Sequence, residues 1–184
     1  MKIQDLQSDQ SDRIQQAAVL LLDGFQDWPS GWKTLESALK EVHESLADAR
    51  LSRVALDAAG QVIGWIGAIQ INPYLWELHP LVVKERYRGQ GIGRSLVQDL
   101  EQQVALRGGV TLWLGTDDDH DCTSLFGTDV YPNVLERLMH LTAHREHPCA
   151  FYRKMGFSVV GVLPDANGWG RPDILMAKRM TPKA

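Results

Sequence analysis

The run Val82-Val83-Lys84-Glu85-Arg86-Tyr87-Arg88-Gly89-Gln90-Gly91-Ile92-Gly93-Arg94-Ser95-Leu96 constrains the fold more than any other part of the chain. An apolar strand end passes into a basic, glycine-rich turn and then directly into a helix whose apolar face is Ile92, Leu96, Leu100 and Val104. Glycines at 89, 91 and 93 remove the Cβ atoms that would hold a ligand off the backbone, and they permit dihedrals that aim successive N–H groups at one anion. The helix adds partial positive charge at the same place, and Arg86, Arg88 and Arg94 add formal charge. Such a turn reads as a phosphate cradle. No Lys-Ser or Lys-Thr closes it as in a nucleotide-hydrolysing P-loop. No acidic ribose ligand follows it, and Lys84-Glu85-Arg86-Tyr87 separates strand from glycines, unlike a dinucleotide fingerprint.

The remaining elements alternate in an α/β manner. Ile14, Ala17, Ala18, Leu21 and Leu22 repeat at helical spacing over 13–23, with a turn signal at Gly24 and the aromatic loop Trp28-Pro29-Ser30-Gly31-Trp32. A second helix is expected near 34–47. Strands over 52–56 and 61–71 flank Asp57-Ala58-Ala59-Gly60, a hairpin turn. A third strand spans 76–83; Gly108-Gly109 ends the helix after the cradle, and a strand at 111–115 implies a right-handed parallel crossover. A helix over 146–156 and strands over 157–163 and 174–178 complete the reading. With 184 residues, 44% hydrophobic and 23% charged, we expect one globular domain over 1–184, an α/β fold with a mixed central sheet flanked by helices.

No apolar run reaches membrane-spanning length and the first residues lack a signal pattern, which leads to the expectation of a cytoplasmic protein. Cys122 and Cys149 are too few for a disulfide scaffold. His120, His140, His144, His147 and Cys149 match no known ligand spacing, so no metal is expected. A net charge of -4 speaks against nucleic acid and for cationic partners.

The third strand carries the candidate chemistry. In Trp76-Glu77-Leu78-His79-Pro80-Leu81 alternation puts Glu77 and His79 on one face, with Trp76 and Leu78 on the other. Pro80 has no ladder N–H and marks a bulge or a parting of neighbouring strands.

The pattern Arg88-x-x-Gly91-x-Gly93 after a strand and before a helix resembles the pyrophosphate-binding signature of the GCN5-related N-acetyltransferase (GNAT) superfamily, and Phe151-Tyr152-Arg153-Lys154-Met155-Gly156-Phe157 resembles its F-Y-x-K-x-G-F stretch. The resemblance implies acetyl-coenzyme A (acetyl-CoA) as cosubstrate, held by the backbone of Leu81, Val82 and Val83 and by Arg88, Gly89, Gln90, Gly91, Ile92, Gly93 and Arg94. Acyl transfer to an amine needs the amine neutral. An ammonium with a pKa of roughly 9 is about 1% neutral near pH 7, a cost on the order of 3 kcal/mol. Glu77 is a candidate to position the ammonium and take its proton, the Leu81 N–H to hold the oxyanion, and Tyr152 to protonate the departing thiolate.

Longer blocks narrow the resemblance. Trp76 to Val83, Arg107-Gly108-Gly109, Leu114 to Asp118, Arg145-Glu146-His147-Pro148 and Gly161 to Trp169 look like the enterococcal chromosomal branch of aminoglycoside 6'-N-acetyltransferases, nearly continuously from residue 62. This implies a homodimer and makes His79 the active-site companion of Glu77, either of which is the base. Two departures stand out: Arg145 replaces the usual asparagine seven residues before the tyrosine, and Pro148 replaces a small residue. The segment 117–144 is also longer than usual.

From Gly108 to Glu136 there is no Lys or Arg, while Asp117, Asp118, Asp119, Asp121, Asp129 and Glu136 fall inside. This acidity suits a polycationic amine. Asp117 and Asp118, at the carboxyl end of a strand, are candidate acceptor contacts, and Trp28 a candidate aromatic wall. Two other readings stay open: acetylation of a protein lysine, an amino terminus or a polyamine, and a non-enzymatic CoA-binding sensor.

Overall fold

The computed structural model describes residues 1–29, 31–144 and 147–180. Seven strands and five α-helices lie among them, the expected α/β class. The residues fall into two compact units, Met1–Leu112 with Met180, and Trp113–Arg179.

In the first unit, β1 (Lys2–Asp5), β2 (Arg50–Leu56), β3 (Val62–Asn72) and β4 (Leu75–Val83) form an antiparallel sequence of neighbours. The hairpin turn between β2 and β3 forms as read. Asp57 N donates to Gln61 O at 3.0 Å, Asp57 Oδ1 accepts from the N–H groups of Ala59 and Gln61 at 2.9 Å each, and Gly60 takes φ +78.

Helices α1 (Ser11–Phe25) and α2 (Leu35–Glu44) bury Ala17, Ala18, Leu21, Ala38 and Val42 against Val54, Trp65 and Val82. Thr34 starts α2 through a capping box, its Oγ1 accepting from Ser37 N at 3.1 Å while Ser37 Oγ accepts from Thr34 N at 3.3 Å. The turn expected at Gly24 does not form. α1 runs through it, because a Cβ there would stand 2.5 Å from Val82 Cγ2, so the glycine serves a close helix-to-strand approach. Helix α3 (Ile92–Leu106) buries Leu96, Val97, Leu100 and Val104 and packs on the other face, where a Cβ on Gly64 would meet Leu96 and Ile92. On that face Arg53 donates two bonds to Asp99 of α3, at 2.7 and 2.8 Å, and one to Asp5 at 2.6 Å. Burial lowers the Arg53 pKa, but the two carboxylates outweigh it and the net shift is upward.

In the second unit, β5 (Thr111–Asp117, its first two residues belonging to the first unit) neighbours β7 (Asp173–Arg179), which pairs antiparallel with β6 (Ser158–Leu163). Two short helices, α4 (Val134–Met139) and α5 (Pro148–Lys154), accompany them. β5 is two residues longer than expected, so Asp117 ends the strand rather than following it. α5 is shorter than the expected 146–156: Met155 caps it, and Gly156 turns out of it at φ +87. Ser30, Arg145 and Glu146 lie outside the described residues. Among the described residues no helix is long and apolar enough to cross a membrane.

Candidate active site

The cradle takes the conformation its glycines suggest. A 3-10 turn over Glu85–Tyr87 leaves β4, Gly89 takes φ +74, and Gly91, in the left-handed region at φ +84, starts α3 with no side chain capping it. A Cβ added at Gly89 or Gly91 would meet nothing within 4 Å. The first N–H groups of a helix lack intrahelical partners. Open space, orphan donors and a helix dipole together fit a diphosphate. Gly93 lies inside α3 and is not among the positive-φ residues, so its contribution is lack of bulk alone. Two side chains brace the turn from within. Arg88 Nε donates to Val83 O at 3.1 Å and Gln90 Nε2 to Arg86 O at 3.0 Å.

Strand β4 delivers the candidate chemistry, and its register shows how. Ile66 pairs with Leu81 and Ala68 with Leu78, so the single residue Gly67 opposes both His79 and Pro80. Pro80 therefore marks a bulge, as the sequence suggests. One extra residue exchanges the faces beyond it. Glu77, opposite Ile69, and Val82, opposite Trp65, lie on the α1–α2 side with His79; Leu78, Leu81 and Val83 lie on the α3 side. Glu77 and His79 share a face as expected, away from Trp76 and Leu78. The unbroken alternation of burial along β4 conceals the exchange.

On that shared face the Glu77 side chain has no hydrogen bond or ion pair among the described residues, although the residue is half-buried. His79 is enclosed. Its ring lies 5.8 Å from Trp32, which packs edge-on against Phe25 at 5.3 Å, and its Nε2 stands 3.7 Å from Glu41 Oε1. Trp28 extends this aromatic group, 6.3 Å from Phe25. Sequence reading missed Trp32 and Glu41 as site residues. The available signal was a carboxylate at 41 among the buried positions 38 and 42 of α2 and 45 at its C-cap.

In the second unit, Tyr152 is buried between Phe151 and Phe157, at 5.1 and 5.5 Å. Burial, then the nearby Cys149, raises its pKa far above the physiological range, so the phenol keeps its proton. Cys149 Sγ is 3.1 Å from Thr116 Oγ1, and burial raises the thiol's pKa. Asp117 accepts from Asn167 Nδ2 at 2.6 Å. Asp118 is fully buried, its two oxygens accepting from Cys122 N at 2.9 Å and Thr123 N at 2.7 Å. Asp119 pairs with Arg171. Of these three aspartates, Asp118 shapes its own loop, while Asp117 and Asp119 tie it to the connection between β6 and β7. His147, 3% exposed, accepts from Cys149 N through Nδ1 at 3.2 Å, and burial lowers its pKa against the opposing pull of Asp118 and Asp117.

A turn that fits a diphosphate, at the end of a strand whose Glu77 has no partner among the described residues, suits an enzyme that takes a group from a phosphate-bearing carrier. Comparison with known proteins gives that class a family. Residues 18–126, more than half the chain, match the Acetyltransferase (GNAT) family model. A crystal structure of aminoglycoside 6'-N-acetyltransferase complexed with coenzyme A is 40% identical, with a TM-score of 0.89 over 100% of this chain and 99% of its own. The Enterococcus faecium aminoglycoside 6'-N-acetyltransferase is 39% identical, with the same TM-score and coverage. A curated but uncharacterised protein of Mycobacterium leprae (strain TN) is 24% identical over 83% of this chain, which spans about a third (33%) of that protein's length. The chain belongs to the GNAT family and is an acetyl-CoA-dependent N-acetyltransferase.

Proposed function

We propose that the protein acetylates the 6'-amine of aminoglycoside antibiotics. The observation that carries this reading is Glu77: a half-buried carboxylate without a partner among the described residues, on one face with His79, whose ring neighbours Trp32, on the strand that leads into the cradle. A carboxylate of that kind has an unmet demand for a cation. The full-length likeness to two aminoglycoside 6'-N-acetyltransferases at 39% and 40% identity supports the same acceptor.

When bound, acetyl-CoA supplies the thioester acyl group. The chain's residues do the rest. Gly89 to Arg94, with Arg88 bracing the turn, hold the diphosphate, and the backbone of Leu81, Val82 and Val83 holds the pantetheine arm. Glu77 takes the ammonium proton, lifting the neutral-amine penalty of about 3 kcal/mol estimated for an ammonium at pH 7. The Leu81 N–H, just past the bulge, receives the developing oxyanion. Tyr152, a phenol held neutral by burial, is the proton source for the thiolate. Trp28 and Trp32 offer aromatic faces to the sugar rings, and Asp117 offers a charge. Asp118 contributes field rather than contact, since both its oxygens are occupied. We further propose that the enzyme works in the cytoplasm as a homodimer.

The test is release of CoA with kanamycin, spermidine and a basic peptide as competing acceptors, with the modified amine located by NMR. Kanamycin is expected to give the highest kcat/KM, with acetyl on the 6'-nitrogen; preference for the peptide would replace this reading by protein acetylation. Glu77→Gln is expected to lower kcat about 100-fold with unchanged CoA affinity.

A further inference from the structure

We infer that Glu41 is the positioning residue for His79: its carboxylate selects the imidazole tautomer that carries hydrogen on Nε2 and leaves Nδ1 as the acceptor nitrogen available to an amine or hydroxyl brought to Glu77. The inference rests on the proposed acceptor face, and adds to it a residue from a different element.

Glu41 sits where α2 should be apolar. Ala38 and Val42 on the same stripe are fully buried and Ser45 is 4% exposed. The Glu41 side chain is only 15% exposed, and a carboxylate so placed costs free energy unless it is paired. Two groups compensate it, His79 Nε2 at 3.7 Å and Arg50 Nη1 at 4.0 Å. A neutral imidazole has one N–H and one lone pair, and a carboxylate can only accept. With Oε1 facing Nε2 at 3.7 Å, an N–H on that nitrogen is electrostatically favoured over a lone pair. The 3.7 Å separation makes this an electrostatic preference rather than a short hydrogen bond. Trp32 at 5.8 Å, braced by Phe25, limits reorientation of the ring. The arrangement resembles the way an outer carboxylate fixes the tautomer of a histidine in other sites, with no metal or triad required.

The experiment uses the full-length protein with 15N-labelled histidine at pH 8, the His79 signal being assigned by its loss in His79→Ala. The wild type is expected to show Nε2–H and an unprotonated Nδ1. Glu41→Gln, whose amide can donate as well as accept, is expected to give a mixture of tautomers. Its kcat/KM should fall on the order of tenfold, with CoA affinity unchanged. Glu41→Gln/His79→Ala should be no slower than His79→Ala, since the two residues act through one ring. Arg50→Gln, which removes Glu41's other partner, should leave the tautomer in place. An Nδ1–H tautomer in the wild type, the same tautomer ratio in Glu41→Gln, or multiplying losses in the double variant would each overturn the inference. An unchanged rate in Glu77→Gln would instead remove the proposed base and leave the tautomer result standing.

Discussion

Replacing Gly91 by valine separates the two roles of a left-handed glycine, because the protein contains its own control. Gly91 has φ +84 and Gly60 has φ +78, and a Cβ at either would meet nothing within 4 Å. Backbone strain is therefore nearly matched. A left-handed conformation costs an L-residue roughly 1–2 kcal/mol, and a β-branched one more, so Gly91→Val and Gly60→Val should each lose about 2 kcal/mol of stability in urea unfolding. What differs is the use of the open space. At Gly60 it is solvent over the β2–β3 hairpin; at Gly91 it is the space in which we propose that the diphosphate of CoA approaches the backbone. Gly91→Val is expected to weaken CoA at least 100-fold by titration calorimetry, equivalent to about 2.7 kcal/mol, and Gly60→Val not at all. Pantetheine, which lacks the diphosphate, should bind both variants as it binds the wild type. CoA binding to Gly91→Val within threefold of wild type, at a matched stability loss, would refute the cradle.

Three further outcomes can be measured independently. Asp99→Ala leaves Arg53, whose side chain is 9% exposed, with only the more exposed Asp5; urea unfolding should show a loss of about 3 kcal/mol, most of it recovered in Arg53→Met/Asp99→Leu. Gly24→Val sets a branched side chain against Val82 and should cost about 1–3 kcal/mol while disturbing the strand end that leads into the cradle, read as a parallel fall in melting temperature and CoA affinity. His147 is held neutral by burial, so its folded pKa lies below the ordinary 6.5 and the unfolded chain binds the extra proton first. The contribution of this group is fully present above about pH 6.5 and is lost as pH falls through that value; His147→Asn should flatten the decline in melting temperature between pH 7.5 and 5.5.

Local spacing made much of the framework legible. The amphipathic stripe of α3, the Asp57–Gly60 turn, and Glu77 with His79 on one face are statements about neighbours in sequence, and they hold. What depends on other elements was hidden. β1 is four residues with no fully buried side chain, and nothing in Lys2-Ile3-Gln4-Asp5 marks a strand; pairing with β2 and the Asp5–Arg53 bond make it one. Gly24 looked like a turn because glycine in a helix is costly, and the offsetting gain, contact with Val82, comes from a strand far along the chain. Three glycines in the cradle look alike in sequence, yet only 89 and 91 adopt left-handed dihedrals. In the site, Glu41 and Trp32 come to His79 through tertiary packing alone. The acidic run showed its charge but not that Asp118 is engaged by the N–H groups of Cys122 and Thr123 and Asp119 by Arg171.

The two-against-one pairing at Gly67 makes chain length, as much as residue identity, a condition for this chemistry. Deleting Pro80 would leave His79 alone opposite Gly67 and keep Glu77 and His79 on their face, but it would remove the bulge that precedes Leu81, whose N–H is the proposed oxyanion donor. Replacing the proline leaves that count intact. Between residues 78 and 81 the enzyme should therefore accept exchanges far more readily than losses or gains, a tolerance profile opposite to that of its surface loops.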